Sequence, residues 1–466
     1  MIFDTLMERL DFSIVSSKKV LEEPFRLDSE YYSKSNLALE DLIISKNGKT
    51  IEELGGIVDC SAFYPSITGD YSYDKSLIPF LRVNEIKDGL VTLTENTVYL
   101  PQKVLDINSG TIARAYPGDL IIAKGGNTLA KVGLVTNEYP VYATCRDVII
   151  LRTNKITEIN KFYLWAFLHS KYGQDLMWRS ASQTGQPHLT LPIIKNMHIP
   201  IYDKDIQDWI ESAYKKSVDK QLASSCKFEE AANLLNNVID KNDENSILEK
   251  PVIISLKDIN KNQRIDAEYY KEGYRITREK IEKKGHWYLS DDEIIDANFT
   301  PDKETLWNYI ELANVGVNGS VDDCLSDLGS ALPTRARRLV KEGDVIISSI
   351  EGSLEKSAII TAKYNNCICS NGFYVLRTKK LNPKTLLVLM KLDPIQSLLK
   401  RACSGTILTA FSKDELKKIP LPEIDSPVQA QIEKIVDESF YLHDQSLDLL
   451  NSCKQKIEEL ITLADD

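Results

Sequence analysis

No stretch of about 18 consecutive apolar residues occurs in this 466-residue chain, so no membrane-spanning helix is expected. The start, "MIFDTLMERLDFSIVSS", lacks the basic-then-apolar layout of a secretory signal. The eight cysteines (60, 145, 226, 324, 367, 369, 403 and 453) never form a CxxC pair, and the five histidines do not cluster near them. That argues against a zinc site and for reduced thiols in a cytoplasmic protein. No Pro-Pro dipeptide occurs, which leaves out the Asp/Asn-Pro-Pro-aromatic tetrapeptide expected of a methyltransferase acting on adenine amino groups. "NGKT" at 47–50 resembles the end of a phosphate loop, but Ile43 stands where that loop needs its first glycine. His169, His188, His198, His286 and His443 assemble into no Ser/His/Asp triad. Asp302, Glu351 and Glu355-Lys356 are too dispersed for a nuclease pattern. The chain reads as non-catalytic.

Apolar residues make up 43% of the chain and charged ones 27%, enough for real cores and against wholesale disorder. The net charge of −11 argues against nucleic acid until its distribution is read. Residues 80–200 hold 13 lysines and arginines against 9 acids, and residues 333–420 hold 16 against 7. The remaining segments are acidic. Two basic blocks in an acidic frame are what a chain shows when only parts of its surface meet phosphates.

What the sequence has in abundance is itself. "RLDSEYY" (26–32) returns as "RIDAEYY" (264–270), with five of seven positions identical. "YPGDLIIAKGG…YATCRDVIILRTNK" (116–155) returns as "KEGDVIISSIEG…CICSNGFYVLRTKK" (341–380), an offset of 225. "TGQPHLTLPIIKNMHIPI" (184–201) matches "SGTILTAFSKDELKKIPL" (404–421), and "DIQDWI" (205–210) matches "PVQAQI" (427–432). Four pairs in one order with a drifting offset mean a duplicated module carrying small loop insertions.

Each module runs from a helical opening through β-branched strands bounded by Gly or Asp to amphipathic helices, which predicts an α/β (α+β) fold. Each then closes on a long helix. In the second copy the predicted seam is Val436, Phe440, His443, Leu447, Leu450, Lys454, Ile457, Ile461 and Ala464. In the first it is Ile210, Tyr214, Phe228, Ala232, Leu235 and Ile239, with a polar middle at Ser217, Gln221 and Ser225. Steps of three and four are coiled-coil spacing, so the two helices are expected to pair as an antiparallel coiled coil. The expected organisation is a globular domain at 1–202, a long helix at 203–245, a second domain at 246–422 and a second long helix at 423–466.

With these pieces assembled, the chain resembles the specificity subunit of type I restriction–modification systems over essentially its whole length. The resemblance rests on the duplicated order, on "GDLIIAKGGNTLAKVGLV" and "GDVIISSIEGSLEKSAII", and on "SQTGQPHLTLPIIKNMHIPIY" followed by Gln207. The second copy departs from it, since "SGTILTAFS" lacks the Gln-Pro pair. The resemblance implies a subunit without catalysis or cofactor of its own, in which each globular domain reads one half of a split duplex DNA target. The long helices would act as a ruler and dock two modification subunits that bind S-adenosylmethionine and methylate adenine; restriction motor subunits could join. Candidate DNA contacts in the basic blocks and matched loops are Arg82, Lys124, Asn127, Lys131, Arg146, Gln186, Arg335, Arg337, Arg338, Lys356, Asn371 and Thr406. The competing reading is a tandem-repeat protein-binding scaffold without DNA specificity.

Overall fold

The computed structural model describes residues 13–21, 27–87, 89–94, 96–181, 187–239, 252–262, 264–322, 324–405 and 409–463. The chain divides into two compact units, Met1–Asp219 with Gln445–Asp466, and Lys220–Asp444. The fold is mixed α/β, with each β-rich part followed by a long helix. No helix among the described residues is long and apolar enough to cross a membrane.

In the first unit, helix α1 (Lys34–Ser45) precedes strands β1 (Ile57–Cys60), β2 (Ile78–Leu81), β3 (Ile86–Lys87), β4 (Leu90–Val91), β5 (Tyr99–Leu100) and β6 (Arg114–Ala115). Strands β7 (Leu120–Ala123), β8 (Val132–Leu134), β9 (Tyr142–Thr144) and β10 (Val148–Arg152) complete the β region. They form a six-stranded sheet, ordered β1-β10-β7-β8-β4-β3, and a four-stranded sheet, ordered β5-β2-β9-β6. Strands β7 and β10 lack polar alternation because both their faces are covered. Leu120, Ile122, Ile149 and Leu151 join one core with α2 (Lys161–His169) and α3 (Lys171–Ser180). Ile121, Ala123, Val148 and Ile150 join a second core with Phe80 and Tyr142 of the four-stranded sheet. A short helix, α4 (Leu191–Lys195), leads into the long α5 (Lys204–Ile239).

The second unit repeats this plan. Helix α6 (Glu272–Lys283) is followed by β11 (Ile294–Ile295), β12 (Leu306–Ile310), β13 (Leu325–Leu328), β14 (Ala336–Leu339), β15 (Val345–Ser348), β16 (Ser357–Ile359), β17 (Ile368–Ser370) and β18 (Phe373–Leu376). The sheets are ordered β11-β18-β15-β16 and β13-β12-β17-β14. Helices α7 (Pro383–Lys391), α8 (Asp393–Ala402) and the long α9 (Ser426–Thr462) close the unit's sequence. Val345 and Ile347 face the helical core, while Ile346 and Val375 face the core under the other sheet.

The repeated motifs are the joints of this plan. Gly118 (φ +95°) and Gly343 (φ +84°) adopt the left-handed backbone that only glycine takes without strain. Each lets the next aspartate close the turn: Asp119 Oδ2 accepts from Tyr116 N at 2.9 Å, and Asp344 Oδ2 from Lys341 N at 2.8 Å. The arginine of each "LRT" meets that aspartate, Arg152 at 3.5 Å from Asp119 and Arg377 at 2.7 Å from Asp344. Gln207 Oε1 accepts from Asn160 N at 2.9 Å while its Nε2 donates to Tyr202 O at 3.0 Å, clasping α2 to α5. Gln429 repeats this with Asn382 N at 2.9 Å and Ile424 O at 2.8 Å, clasping α7 to α9.

The opening heptapeptide is explained the same way. Arg179 donates to Tyr31 O at 2.9 Å and lies 4.2 Å over its ring. Arg401 donates to Tyr269 O at 3.0 Å and lies 4.1 Å over that ring. Cation–π stacking and a charged hydrogen bond thus pin both "EYY" segments. Arg26 lies outside the described residues.

The long helices contribute one half to each unit, paired antiparallel. In the first unit Cys453 Sγ meets Ile210 O at 3.8 Å and Ser446 Oγ donates to Ser217 O at 2.9 Å, so seven residues forward in α5 is seven backward in α9. In the second unit Ser439 Oγ donates to Ser224 O at 2.8 Å. The predicted seam needs correction here. Ser224 and Ala231 are buried where Ser225 and Ala232 were expected, and Ser439, Ser446 and Cys453 are buried in place of Phe440, Leu447 and Lys454. In α9 a pattern-led reading favours the larger neighbours Phe440, Leu447 and Lys454. Small side chains win because they let the two backbones come close enough for serine-to-carbonyl bonds. Ala464 lies outside the described residues.

Candidate nucleic-acid interface

Three main-chain bonds of the first unit bring distant cations to one rim. Cys145 N donates to Leu81 O at 2.9 Å, joining the carboxyl ends of the parallel strands β2 and β9. Lys124 N donates to Asp147 O at 2.9 Å, bringing the end of β7 beside the β9–β10 turn. Ala123 N donates to Lys131 O at 2.8 Å. Arg82, Lys124, Lys131 and Arg146, separated by up to 64 residues, therefore occupy neighbouring positions on one edge. His188 joins them, because Gly125 and His188 form an antiparallel bridge and Leu189 N donates to Lys124 O at 2.8 Å.

These cations differ in freedom. Arg82 Nη2 is tied to Glu85 Oε1 at 3.0 Å and to Asn96 O at 2.8 Å, and Glu85 is buried. Burial alone would lower the Arg82 pKa, but the hydrogen bond and charge of Glu85 outweigh it and the net shift is upward. Arg146 and Lys131 are exposed and Lys124 is half-buried; among the described residues none of the three side chains makes a hydrogen bond or ion pair.

The equivalent rim of the second unit keeps the bonds corresponding to Lys124 N–Asp147 O and Ala123 N–Lys131 O, adds two others, and carries different side chains. Ser349 N donates to Gly372 O at 2.9 Å, Ser348 N to Lys356 O at 2.9 Å, Glu351 N to Thr409 O at 2.9 Å and Asn371 N to Arg335 O at 2.8 Å. Strands β12 and β17 are parallel, like β2 and β9, and place Glu311 where the first unit has Arg82. Asn371 stands for Arg146, Ser349 for Lys124 and Glu351 for Gly126, each at the repeat offset of 225.

Of the basic positions read from "TRARR", Arg335 is the one at the rim. It is 58% exposed, donates to Tyr309 Oη at 3.1 Å and pairs with Glu311 at 2.6 Å. Those two partners, Tyr309 first, raise its pKa. Arg337 donates to Thr334 O at 2.9 Å and reaches Thr300 Oγ1 at 3.4 Å. Arg338 turns inward to Asn298 Oδ1 at 3.0 Å and to the Asp296 carbonyl. Lys356 is engaged too, donating to Val315 O at 2.6 Å. Asn371 is exposed. Gln186 and Thr406 lie outside the described residues, as does the side chain of Asn127.

Glu311 was not singled out in the sequence and Glu351 was weighed only for a nuclease pattern; aligning them with Arg82 and Gly126 would have placed both at the rim. A search for cations alone passes over acceptors. Asp302 is consumed locally, accepting at 3.1 Å from Glu304 N and Thr305 N, and its hydrogen bonds, that from the Thr305 side chain foremost, hold its carboxyl below the usual range. Among the described residues no group of three or more His, Cys, Asp or Glu side chains could hold a metal ion.

The class defined by this architecture is a duplicated α/β module whose two copies share a pair of antiparallel long helices. Among solved structures the chain is similar to the S subunit of the type I restriction–modification system from M. genitalium, at 12% identity and a TM-score of 0.34, covering 90% of this chain and 96% of that one. It is also similar to the HsdS subunit from Thermoanaerobacter tengcongensis, at 13% identity and a TM-score of 0.27, covering 87% and 96% of the two chains. A third similar chain, at 15% identity and a TM-score of 0.28, comes from a study of complex assembly and conformational transition of the type I restriction–modification system, covering 87% and 96%. No protein-family model and no curated protein sequence matches the chain.

Proposed function

We propose that the chain is the non-catalytic DNA-recognition subunit of a type I restriction–modification complex. Each unit reads one half of a bipartite duplex sequence with the rim described above. The observation that carries this reading is the first rim, where Lys124, Lys131 and Arg146 converge without protein partners among the described residues. Cations held by main-chain bonds and left without acid partners lose little when they take up phosphate oxygens, and each phosphate neutralised releases counterions. Loop side chains on the same edge are then placed to read base edges. Two modification subunits, carrying S-adenosylmethionine and methylating adenine, dock on the chain in the cytoplasm, and a restriction motor subunit can join them.

The test uses the chain assembled with a modification subunit. Replacing Lys124, Lys131 and Arg146 together by alanine should weaken binding to every duplex alike. It should also flatten the dependence of log K on log salt by about 0.9 for each phosphate that is no longer neutralised. Unchanged salt dependence would remove this rim from the interface.

A further inference from the structure

Two rims with one backbone and different side chains should not read the same chemistry. At equivalent positions the first unit offers Arg82, Lys124 and Arg146, all donors, whereas the second offers Glu311, Ser349, Glu351 and Asn371, which bring acceptors. Arginine and lysine match the two acceptors of guanine in the major groove, O6 and N7. Carboxylates accept from the cytosine N4 amino group, and an asparagine amide pairs with adenine N6 and N7.

We infer that the second unit reads a C·G pair through Glu351, at the cytosine N4 amino group, and an A·T pair through Asn371, at adenine N6 and N7, while the first unit reads a G·C pair through Arg146. This rests on the DNA-recognition reading and sharpens it to a base class for each half. Three observations place Glu351 and Asn371 in the reading role. Both are fixed by main-chain bonds from their own N–H groups, to Thr409 O and Arg335 O at 2.9 and 2.8 Å. Neither side chain makes a hydrogen bond or ion pair among the described residues. The remaining acid of this rim, Glu311, is already neutralised by Arg335 at 2.6 Å, leaving Glu351 to accept. An unpaired carboxylate beside DNA is repelled by phosphate, so its presence at the rim is offset only where it receives a base amino group.

The experiment maps methylated sites in DNA exposed to the complex of the full chain with its modification subunits. The wild-type complex should recognise a split sequence with a G·C pair specified in one half and both an A·T and a C·G pair specified in the other. Glu351→Gln and Asn371→Ala should each reduce discrimination about tenfold or more at a single position of the second half. For Glu351→Gln that position should be a C·G pair, and for Asn371→Ala an A·T pair. Arg146→Ala should relax a guanine in the other half only. Asn371→Arg, which copies the first rim into the second, should convert its position toward guanine without altering the first half. Relaxation at an A·T pair by Glu351→Gln or at a G·C pair by Asn371→Ala overturns the inference, as does unchanged specificity in both variants. A wild-type complex that binds no DNA overturns the DNA-recognition reading itself, whereas binding with the wrong base class overturns only this inference. Thermal unfolding of each variant, expected to match the wild type, separates impaired reading from impaired folding.

Discussion

The two units agree in their joints and differ at their rims. Gln207 and Gln429 make the same clasp, Arg179 and Arg401 hold the same tyrosine carbonyl, and Asp119 and Asp344 close the same turn. On the rims, Arg146 is answered by Asn371 and Arg82 by Glu311. Buried joints tolerate little change because removing one partner strands polar groups away from water. Arg146 and Asn371 face solvent and their side chains are bonded to nothing among the described residues, so they can be exchanged without disturbing the unit that carries them. Such a division suits a scaffold that holds its geometry while its contact chemistry varies.

A second difference lies in how each unit grips its halves of the long helices. In the second unit Asn318 Nδ2 bonds Ser224 Oγ at 3.0 Å, and His443 meets Asp322 at 3.0 Å, Ser320 at 3.3 Å and Gln221 at 2.9 Å. His443 and Gln221 are themselves repeat equivalents, 222 positions apart. The first unit aligns Leu90 with Ser320, and Leu90 packs against the apolar core. The loop of the second unit is held by this polar network, and that of the first by burial of Leu90 and by Trp165 Nε1, which donates to Gly89 O at 2.7 Å.

The clasp comparison is broken most severely by Gln207→Leu or Gln429→Leu. Each strands the N–H of its asparagine and a helix-entry carbonyl, and should cost roughly 2–4 kcal/mol of the stability of its own unit. Calorimetry that resolves two transitions should show only the corresponding one move. A decrease shared equally by both would mean the joints are not local.

Next in size is His443→Leu, which leaves the half-buried Asp322 with Ser320 but without its histidine and should destabilise the second unit by about 1–3 kcal/mol. Burial pushes the Asp322 pKa up, but the hydrogen bond and charge of His443 outweigh it, so the folded value lies below the usual 3.8. A depressed carboxylate contributes stability that is fully present above its unfolded pKa and lost as pH falls through the folded one. Acid unfolding monitored at 25 °C should therefore lose part of its slope below pH 4 in this variant. An identical acid limb would show that the pair contributes nothing. Leu90→Ala in the first unit should lower stability without any change in pH dependence.

The smallest effect sharpens the rim comparison. Arg337→Ala, whose side chain is bound to its own unit, should leave both salt slope and recognised sequence unchanged, in contrast to the triple replacement in the first rim. Filter binding at several salt concentrations would show the difference, and a fall of about one unit in slope would return Arg337 to the interface.

The sequence by itself determined the duplication, the order of elements in each copy and the presence of two long helices with coiled-coil spacing. Those features are periodic or repeated, and periodicity needs no knowledge of partners. It also located both basic blocks, yet charge in a sequence carries no record of who neutralises it. Only the tertiary structure decided that Arg338, Arg377 and Lys356 are consumed inside the second unit while Lys124, Lys131 and Arg146 have no side-chain partner among the described residues. It alone placed Ser439, Ser446 and Cys453 on the seam, because close approach of two backbones favours small side chains over the larger neighbours a pattern selects. And it alone brought Arg82, Lys124 and Arg146 together, since parallel pairing of β2 with β9 joins residues that no local window contains.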